Sequence, residues 1–176
     1  ELTRPVMSTD HLRMAPFMPL PETLLEFINW TLDKKCKHCG EIPQEPAVCL
    51  VTGTVYCMTS EKCSGCLKQG PHGQSIGPKE GNCTRHAREC GAGQALFLIP
   101  YLSLVLMVSA PKCGFYESPY VDKNGEPNPH LQRSVSGMTL DQRRVQWYKQ
   151  IYTSGTIHSE IVSQNEASGR YVPGAL

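Results

Sequence analysis

The sequence predicts an α+β domain in which short strands, one apolar β-hairpin and flanking helices surround an irregular cysteine-rich region. Three observations support this fold class: an apolar stretch over 95–108 is broken at Pro100, helical periodicity occurs on both sides of it, and eight of the nine cysteines lie between 36 and 90. A chain of 176 residues, 40% of them hydrophobic, is long enough to bury one core. We expect an irregular arm over 1–19 and a single domain over 20–176.

The first elements are a helix and two short strands. From Pro21 to about Leu32, leucine and isoleucine recur at spacings of three and four residues, which is typical of an amphipathic helix. Two short apolar segments, 47–51 and 55–56, suit strands joined around Thr52-Gly53. They are the main apolar content between residues 36 and 90, so we expect little hydrophobic core in this part of the chain.

A loop and a hairpin are predicted next. Residues 68–82 are rich in Gly, Pro, Gln and Lys without periodicity, which predicts a flexible loop inside the cysteine-rich region. The hairpin over 95–108 is rich in apolar, aromatic and β-branched residues and turns at Pro100-Tyr101. The segment 116–128 is dense in Gly, Pro, Asp and Asn, so an ordered loop is expected there.

The carboxy-terminal part predicts helices over about 140–165. Thr139-Leu-Asp-Gln142 has the form of a capping box, with Thr139 at the N-cap and apolar positions following it to about Thr153. Gly155 is a plausible stop or kink. Ile157 and Ile161 lie four residues apart and indicate a second short helix.

Charge and hydropathy argue against two large classes of partner. There are 17 basic and 16 acidic residues and the formal net charge is +1, so no strong field attracts nucleic acid or an anionic membrane. The longest apolar stretch, 95–108, is shorter than the ~20 residues that a membrane span needs. Residues 1–10 lack an initiator Met and an apolar signal sequence. We therefore expect a piece of a longer chain without nucleic-acid or membrane partners.

The cysteine spacing predicts structural zinc. Disulfides use cysteines in pairs, so a scaffold with nine cysteines would leave one thiol unpaired. A two-residue gap between thiols, by contrast, lets a tight turn aim both at one tetrahedral ion. Such gaps separate Cys36 from Cys39 and Cys63 from Cys66, and Cys83-x2-His86-x3-Cys90 adds a histidine at ligand spacing. We predict two zinc ions. The candidate ligands are Cys36, Cys39, Cys49, Cys57, Cys63, Cys66, Cys83, His86 and Cys90.

Several kinds of zinc module and enzyme do not fit these spacings. A RING needs a histidine within three residues of its third cysteine, but the next candidate after Cys49 is Cys57. A Cys2His2 finger needs a second histidine where this chain has Cys90. No His-Glu-x-x-His pattern is present, and thiolates enclosed in four-ligand sites are withheld from catalysis. Cys113 lacks a partner at ligand spacing and is expected to be a buried bystander.

A polar segment in the predicted loop is a second candidate site. Tyr120, Asp122, Asn124 and Glu126 carry the acidic and aromatic groups that a peptide amine would seek. The same residues also suit a turn in which side chains bind the backbone and pin the hairpin to the last helices, a more common use of such residues. Trp147 and Tyr148 are expected in the core, although exposure of both would indicate a docking surface.

Six segments together resemble a known family. They are Leu20-Pro21 before a helix, Cys36-x2-Cys39-Gly40, Pro46-Ala-Val-Cys49-Leu50, Cys83-x2-His86-x3-Cys90-Gly-Ala-Gly93, Phe97-Leu98 and Pro119-Tyr-Val-Asp122-x2-Gly125-Glu126. Over roughly 20–164 the chain is similar to the carboxy-terminal domain of the UBR-type N-recognins, large ubiquitin ligases of the N-degron pathway. The stretch around His86 and the segment after Pro119 are far more specific than a lone two-cysteine knuckle.

The resemblance implies a zinc-bound, autoinhibitory cap in a cytosolic and nuclear ligase. The parent would be a RING-type ubiquitin transferase that recruits a ubiquitin-conjugating enzyme and directs N-degron substrates to the proteasome. Its RING and degron-binding box would lie upstream, so this domain would contact upstream domains and transfer no ubiquitin itself. Two departures affect the ligand set: Thr52 stands where the family has a cysteine, and Cys63-Ser-Gly-Cys66 replaces a paired Cys-Cys.

The departure at Thr52 leaves the assignment of ligands to the two ions open. A site built from Cys36, Cys39 and Cys49 would be one ligand short, and His86 is the best candidate to complete it. Three functional hypotheses follow: a non-catalytic regulatory scaffold, a peptide-sensing module that relieves autoinhibition, and a self-contained metalloenzyme. A peptide titration separates the first two, and an exchangeable water on zinc would support the third.

Overall fold

A five-stranded antiparallel sheet forms the centre of the computed structural model, which describes residues 17–58, 63, 68–69, 75–76 and 81–168. The strands are β1 (Pro46–Cys49), β2 (Val55–Cys57), β3 (Lys68–Gln69), β4 (Ser75–Ile76), β5 (Gln94–Ile99), β6 (Leu104–Ser109), β7 (Lys112–Glu117), β8 (Tyr120–Val121) and β9 (Thr139–Leu140). The helices are α1 (Leu24–Thr31), α2 (Asn82–Cys90), α3 (Gln142–Ser154) and α4 (Ile157–Ser168). The strand order β2-β1-β5-β6-β7 confirms the α+β prediction.

The central strands are buried on both faces of the sheet. Because successive side chains of a strand point to opposite faces, β5 sends Leu96 and Leu98 into one core cluster and Phe97 and Ile99 into another. The first cluster includes apolar residues of α1, α3 and α4, and the second includes α2 and most of the buried cysteines. Burial on both faces explains why the sequence of the predicted hairpin is an almost continuous run of apolar residues. The pairing of β5 with β6 confirms that hairpin.

Helix α1 begins at Leu24, three residues later than Pro21, because Thr23 forms a capping box. The Thr23 hydroxyl accepts a hydrogen bond from the Glu26 N–H, and the Glu26 carboxylate accepts one from the Thr23 N–H. Two of the unpaired N–H groups at the start of the helix are thereby satisfied. Leu24 and Phe27 then project from the inner face into the core.

Removing this cap has a predictable cost. Thr23→Ala deletes the hydroxyl acceptor without touching the core, and we expect it to lower the free energy of unfolding by about 1 kcal/mol. Thr153→Ala is the matched control, because the Thr153 hydroxyl only donates to carbonyls within α3 and is exposed. Denaturant titrations measure both. Equal stability of the Thr23 variant and the unchanged protein would contradict a stabilising role for the cap.

The predicted capping box of the third helix is wrong by two residues. Thr139 lies in β9, which pairs with β8, so its backbone is extended. Asp141 is the N-cap instead, and its carboxylate accepts a hydrogen bond from the Arg143 N–H. Gly155 closes α3 with a φ of 70°, a left-handed conformation that glycine adopts at little cost. The predicted helix at Ile157 is confirmed as α4.

Several elements were not predicted, and some predictions fall outside the described residues. Helix α2 was not predicted, and neither were β3, β4, β7, β8 and β9; the last two residues of β7 lie in the predicted loop 116–128. Residues 1–16 of the predicted arm and most of the predicted loop 68–82 lie outside the described residues; β3 and β4 form a short antiparallel pair within that loop. Over the described part of the chain, no helix combines the length and apolar character of a membrane span.

Candidate metal centre

Four cysteine thiols converge beside β2. The sulfur atoms of Cys36, Cys39, Cys57 and Cys63 all lie within 4.8 Å of one another. The Sγ atoms of Cys36 and Cys63 are 3.5 Å apart, and those of Cys39 and Cys57 are 3.7 Å apart. A disulfide would bring two sulfurs to about 2.05 Å. Zinc–sulfur bonds of about 2.3 Å place sulfurs about 3.8 Å apart at the corners of a tetrahedron, so this set fits a zinc ion.

A tight turn and the end of a strand position these thiols. The turn runs from Cys36 to Gly40, whose N–H donates to the Cys36 carbonyl and whose φ of 76° requires the left-handed region. The Lys37 N–H donates to the Val55 carbonyl and so ties the turn to β2. Cys57 is the last residue of β2, which brings its thiol to the same place. The two-residue gap thus works as predicted.

Hydrogen bonds to the sulfur of Cys36 favour its charged form. Burial opposes ionisation, but backbone N–H groups, among them those of His38 and Cys57 at 3.4 Å, outweigh it and lower the pKa of Cys36 to about 7. Burial and the neighbouring thiols raise the pKa of Cys63 to about 11 and also raise that of Cys57. The cluster therefore holds one readily ionised thiol beside others that a metal cation would have to deprotonate.

Asn82 is part of this centre and was not predicted. Its Nδ2 donates to the Cys63 sulfur at 3.2 Å and to the Cys57 carbonyl at 3.1 Å. Asn82 is the first residue of α2, so the positive end of that helix also lies beside the thiols. No motif marks an asparagine as a partner of a sulfur ligand, and only knowledge of where α2 begins would have identified it.

Four other predicted ligands lie outside this group. Pro46 of β1 pairs with Cys57, and Cys49 lies three residues further along β1. Cys49 is therefore about 10 Å along the strand from the position opposite Cys57. The other three lie on one face of α2: Cys83 and His86 are buried, and Cys90 is exposed. The sequence suggested Cys49 and His86 as the partners of Cys36 and Cys39. The structure instead places Cys57 and Cys63 beside them. Cys66 lies outside the described residues.

Three of these remaining candidates border one small cavity. Cys49, His86, Cys90 and Thr52 line a space of about 20 Å³ between β1 and α2. The Nδ1 atom of His86 is 2.9 Å from the Tyr56 hydroxyl, and burial lowers the pKa of His86, so the ring is neutral and engaged. The Thr52 hydroxyl is bonded to that of Thr54 at 2.7 Å. Within the described residues, the four-thiol group is the only set of three or more candidate ligand atoms that all lie within 4.8 Å of one another.

Three side chains of the polar loop, those of Tyr120, Asp122 and Glu126, are engaged by backbone groups or by Arg133. Tyr120 is fully buried and donates its hydroxyl hydrogen to the Pro21 carbonyl at 2.9 Å. The Asp122 carboxylate accepts from the N–H groups of Glu126 and Asn124, which lowers the pKa of that carboxyl. Arg133 then bridges the Asp122 and Glu126 carboxylates at 3.1 and 3.0 Å. This geometry matches the predicted turn, in which side chains bind the backbone.

A sequence profile described as Proteolysis_6 C-terminal matches residues 2–154. The chain belongs to the Proteolysis_6 C-terminal family. It is a carboxy-terminal domain of the UBR type, which confirms the resemblance inferred from the motifs. The chain shares 30% identity with the E3 ubiquitin-protein ligase UBR2 of Mus musculus over 151 residues, 85% of this chain and 8% of that protein.

Two further relatives show the same partial overlap. The E3 ubiquitin-protein ligase UBR3 of Mus musculus is 29% identical over 131 residues, 74% of this chain and 6% of that protein. The E3 ubiquitin-protein ligase PRT6 of Arabidopsis thaliana is 27% identical over 122 residues, 68% of this chain and 5% of that protein. This member of the Proteolysis_6 C-terminal family therefore spans a small fraction of the length of the ligases that it matches.

Proposed function

We propose that this chain is a non-catalytic, zinc-stabilised regulatory and scaffolding domain of a UBR-type ubiquitin ligase. The observation that carries the proposal is the four-thiol cluster in a Proteolysis_6 C-terminal domain. Four thiols complete a tetrahedral shell and leave no position for a reacting water or substrate. The chemistry supported at this centre is therefore structural, and the domain acts through contacts with the rest of the ligase.

The parent protein supplies the catalytic steps in this proposal. Its upstream domains recruit a ubiquitin-conjugating enzyme and bind N-degron substrates, which are ubiquitinated and degraded by the proteasome in the cytosol and the nucleus. The present domain is an autoinhibitory cap that favours a closed form of the ligase. Its four clustered thiols are assigned to zinc, so none of them accepts ubiquitin as a thioester.

Zinc at this centre would act on the fold alone. Cys36, Cys39, Cys57 and Cys63 would hold the ion, and the hydrogen bonds of Asn82 and the backbone would offset the charge of the thiolates. An ion here would join β2 to the turn before β1 and to Cys63, whose sulfur accepts a hydrogen bond from Asn82 at the start of α2. A second ion stays a prediction. Measuring whether each chain holds one or two metal ions tests it.

Deleting this domain from the full-length ligase tests its role. A docked cap that stabilises the closed ligase by about 1–3 kcal/mol changes activity by roughly 5- to 150-fold. We expect faster ubiquitin chain formation on a reporter with a destabilising N-terminal residue once residues 20–176 are removed. Cys57→Ser in the full-length ligase, which removes one candidate zinc ligand, is expected to reproduce the deletion.

Other outcomes of the deletion contradict the proposal to different degrees. Slower chain formation by a folded deletion protein would replace the inhibitory role by a scaffolding one. Unchanged chain formation would contradict both. Ubiquitin transfer by the isolated 176 residues with a conjugating enzyme would contradict the non-catalytic assignment.

A further inference from the structure

One edge of the central sheet borders an open groove of about 760 Å³. Strand β7 forms that edge, and helix α3 forms the opposite wall. Phe115 and Trp147 line the groove and are 37% and 40% exposed, two of the few large apolar side chains on the described surface that reach such values. Exposure of Trp147 departs from the sequence prediction, whereas Tyr148 is buried as predicted.

The hydrogen-bond phase of the sheet determines which backbone groups of β7 face the groove. The Ala110 N–H donates to the carbonyl of Gly93, which lies opposite it in the register of β5 and β6. Hydrogen-bonded pairs alternate along an antiparallel ladder, so every second residue of β6, counted back from Val108, forms hydrogen bonds with β5. The residues between them form hydrogen bonds with β7. The register then pairs Gly114 and Tyr116 with β6 through hydrogen bonds. The backbone groups of Phe115 and Glu117 consequently point away from the sheet.

Side chains cover the outward carbonyls of Phe115 and Glu117, whereas the N–H groups of these two residues are open as far as the described residues show. The Gln164 side-chain amide donates to the Phe115 carbonyl at 3.0 Å, and the Tyr148 hydroxyl donates to the Glu117 carbonyl. Neither the Phe115 nor the Glu117 N–H has a hydrogen-bond partner among the described residues. Two unpaired donors two residues apart on a sheet edge match the carbonyl spacing of one more extended strand.

The charges along the groove are paired with one another. Arg144 lies 2.9 Å from the Glu117 carboxylate, and Arg143 lies 3.4 Å from that of Asp141. These two cations and two anions leave no net charge to attract an acidic or a basic peptide. The exposed aromatic rings instead favour apolar side chains. An uncharged extended segment is therefore the occupant that suits both the donors and the groove.

We propose that an extended, mainly apolar segment from the upstream part of the same ligase adds to β7 as a sixth strand and seats its side chains between Phe115 and Trp147. The relatives supply the argument for its source, because this chain spans only 5–8% of their length. Strand addition to a sheet edge is a common mode of peptide recognition. The proposal rests on the proposed function in one respect, that the chain is part of a much longer ligase.

A photo-cross-linking amino acid at position 115 identifies the occupant in the full-length ligase. We expect irradiation to join position 115 to one apolar segment that precedes residue 1, as mapped by mass spectrometry. Cross-links to residues 169–176 or to a second copy of the ligase would overturn the proposal, and so would the absence of a cross-link. A matched probe at Leu25, 48% exposed on α1, is expected not to capture the same segment.

Hydrogen exchange gives an independent measurement on the same protein. In the full-length ligase, the amides of Phe115 and Glu117 are expected to exchange at least ten times more slowly than in the ligase carrying Trp147→Glu. Leu25→Glu is the matched control and should leave both amides protected. Equal exchange in the Trp147 and Leu25 variants, with both proteins folded and retaining their metal, would overturn the proposal.

These results are separable from a failure of the proposed function. If deleting the domain changes ubiquitin chain formation but no upstream segment is captured at position 115, strand addition is wrong and the regulatory role stands. If the segment is captured but deletion leaves chain formation unchanged, strand addition stands and the regulatory role is wrong.

Discussion

Replacing Cys57 by serine is expected to abolish zinc binding at the four-thiol cluster and to unfold the region around it. Serine removes one of four sulfurs that lie within 4.8 Å of one another. A structural zinc site contributes about 10–16 kcal/mol of apparent binding free energy in small zinc domains. Whole domains are stable by only about 5–15 kcal/mol. Loss of the ion therefore exceeds what the remaining contacts of that region can offset.

Cys90→Ser is the informative control for this prediction. Cys90 was a sequence-predicted ligand, but it is exposed and lies outside the four-thiol group. We expect the Cys90 variant to retain the zinc of the cluster, whereas the Cys57 variant loses it. Elemental analysis and thiol titration of the purified variants measure this difference. Equal zinc loss in both, with no further loss in the double variant, would show that the two cysteines serve the same ion.

Replacing Phe97 by alanine is expected to destabilise the domain by about 3–5 kcal/mol, the usual cost of removing a buried phenylalanine ring. Phe97 is fully buried on the face of the sheet that carries the cysteines. Its ring lies 5.7 Å from that of His86 and 6.3 Å from that of Tyr56, between centroids. Alanine would leave a cavity at this position, and the contact between the Phe97 ring and His86 of α2 would be lost.

The matched control for Phe97 lies on the edge of the same sheet. Phe115→Ala removes the same ring from a position that is 37% exposed, and we expect less than about 1 kcal/mol of destabilisation. Thermal or denaturant unfolding of the metal-loaded proteins measures both variants. A Phe97 variant no less stable than the Phe115 variant would contradict the assignment of Phe97 to the core.

Sequence patterns predicted the elements that depend on residues close to one another in the chain. The helical periodicity before Leu32 and the apolar run broken at Pro100 both correspond to observed elements. The capping box at Thr139 was wrong because Thr139 pairs with β8, and no spacing along the chain reveals such a contact. Strand β7 was missed for a similar reason, since its pairing with β6 is not visible in the sequence and its second half has exposed and half-buried residues instead of an apolar run.

The metal centre shows the same division. The gap between Cys36 and Cys39 identified two thiols that a single turn brings to the cluster. The other two depend on the strand register: Pro46 pairs with Cys57, so Cys57 rather than Cys49 stands at the cluster. Asn82 joins the centre only because α2 begins beside it. Pairing of distant segments, which the spacings of a single sequence do not reveal, therefore determined which thiols come together.

The strand order has a consequence for how the chain folds. Strands β5, β6 and β7 are neighbours both along the chain and in the sheet, so their pairing closes only short loops, whereas β1 reaches β5 across more than forty residues. Short loop closures precede long ones because their entropic barrier is lower. We expect the three-strand meander to form early and the cysteine-rich half to dock late. A newly synthesised chain would therefore assemble its four-thiol cluster only after most of its sheet exists.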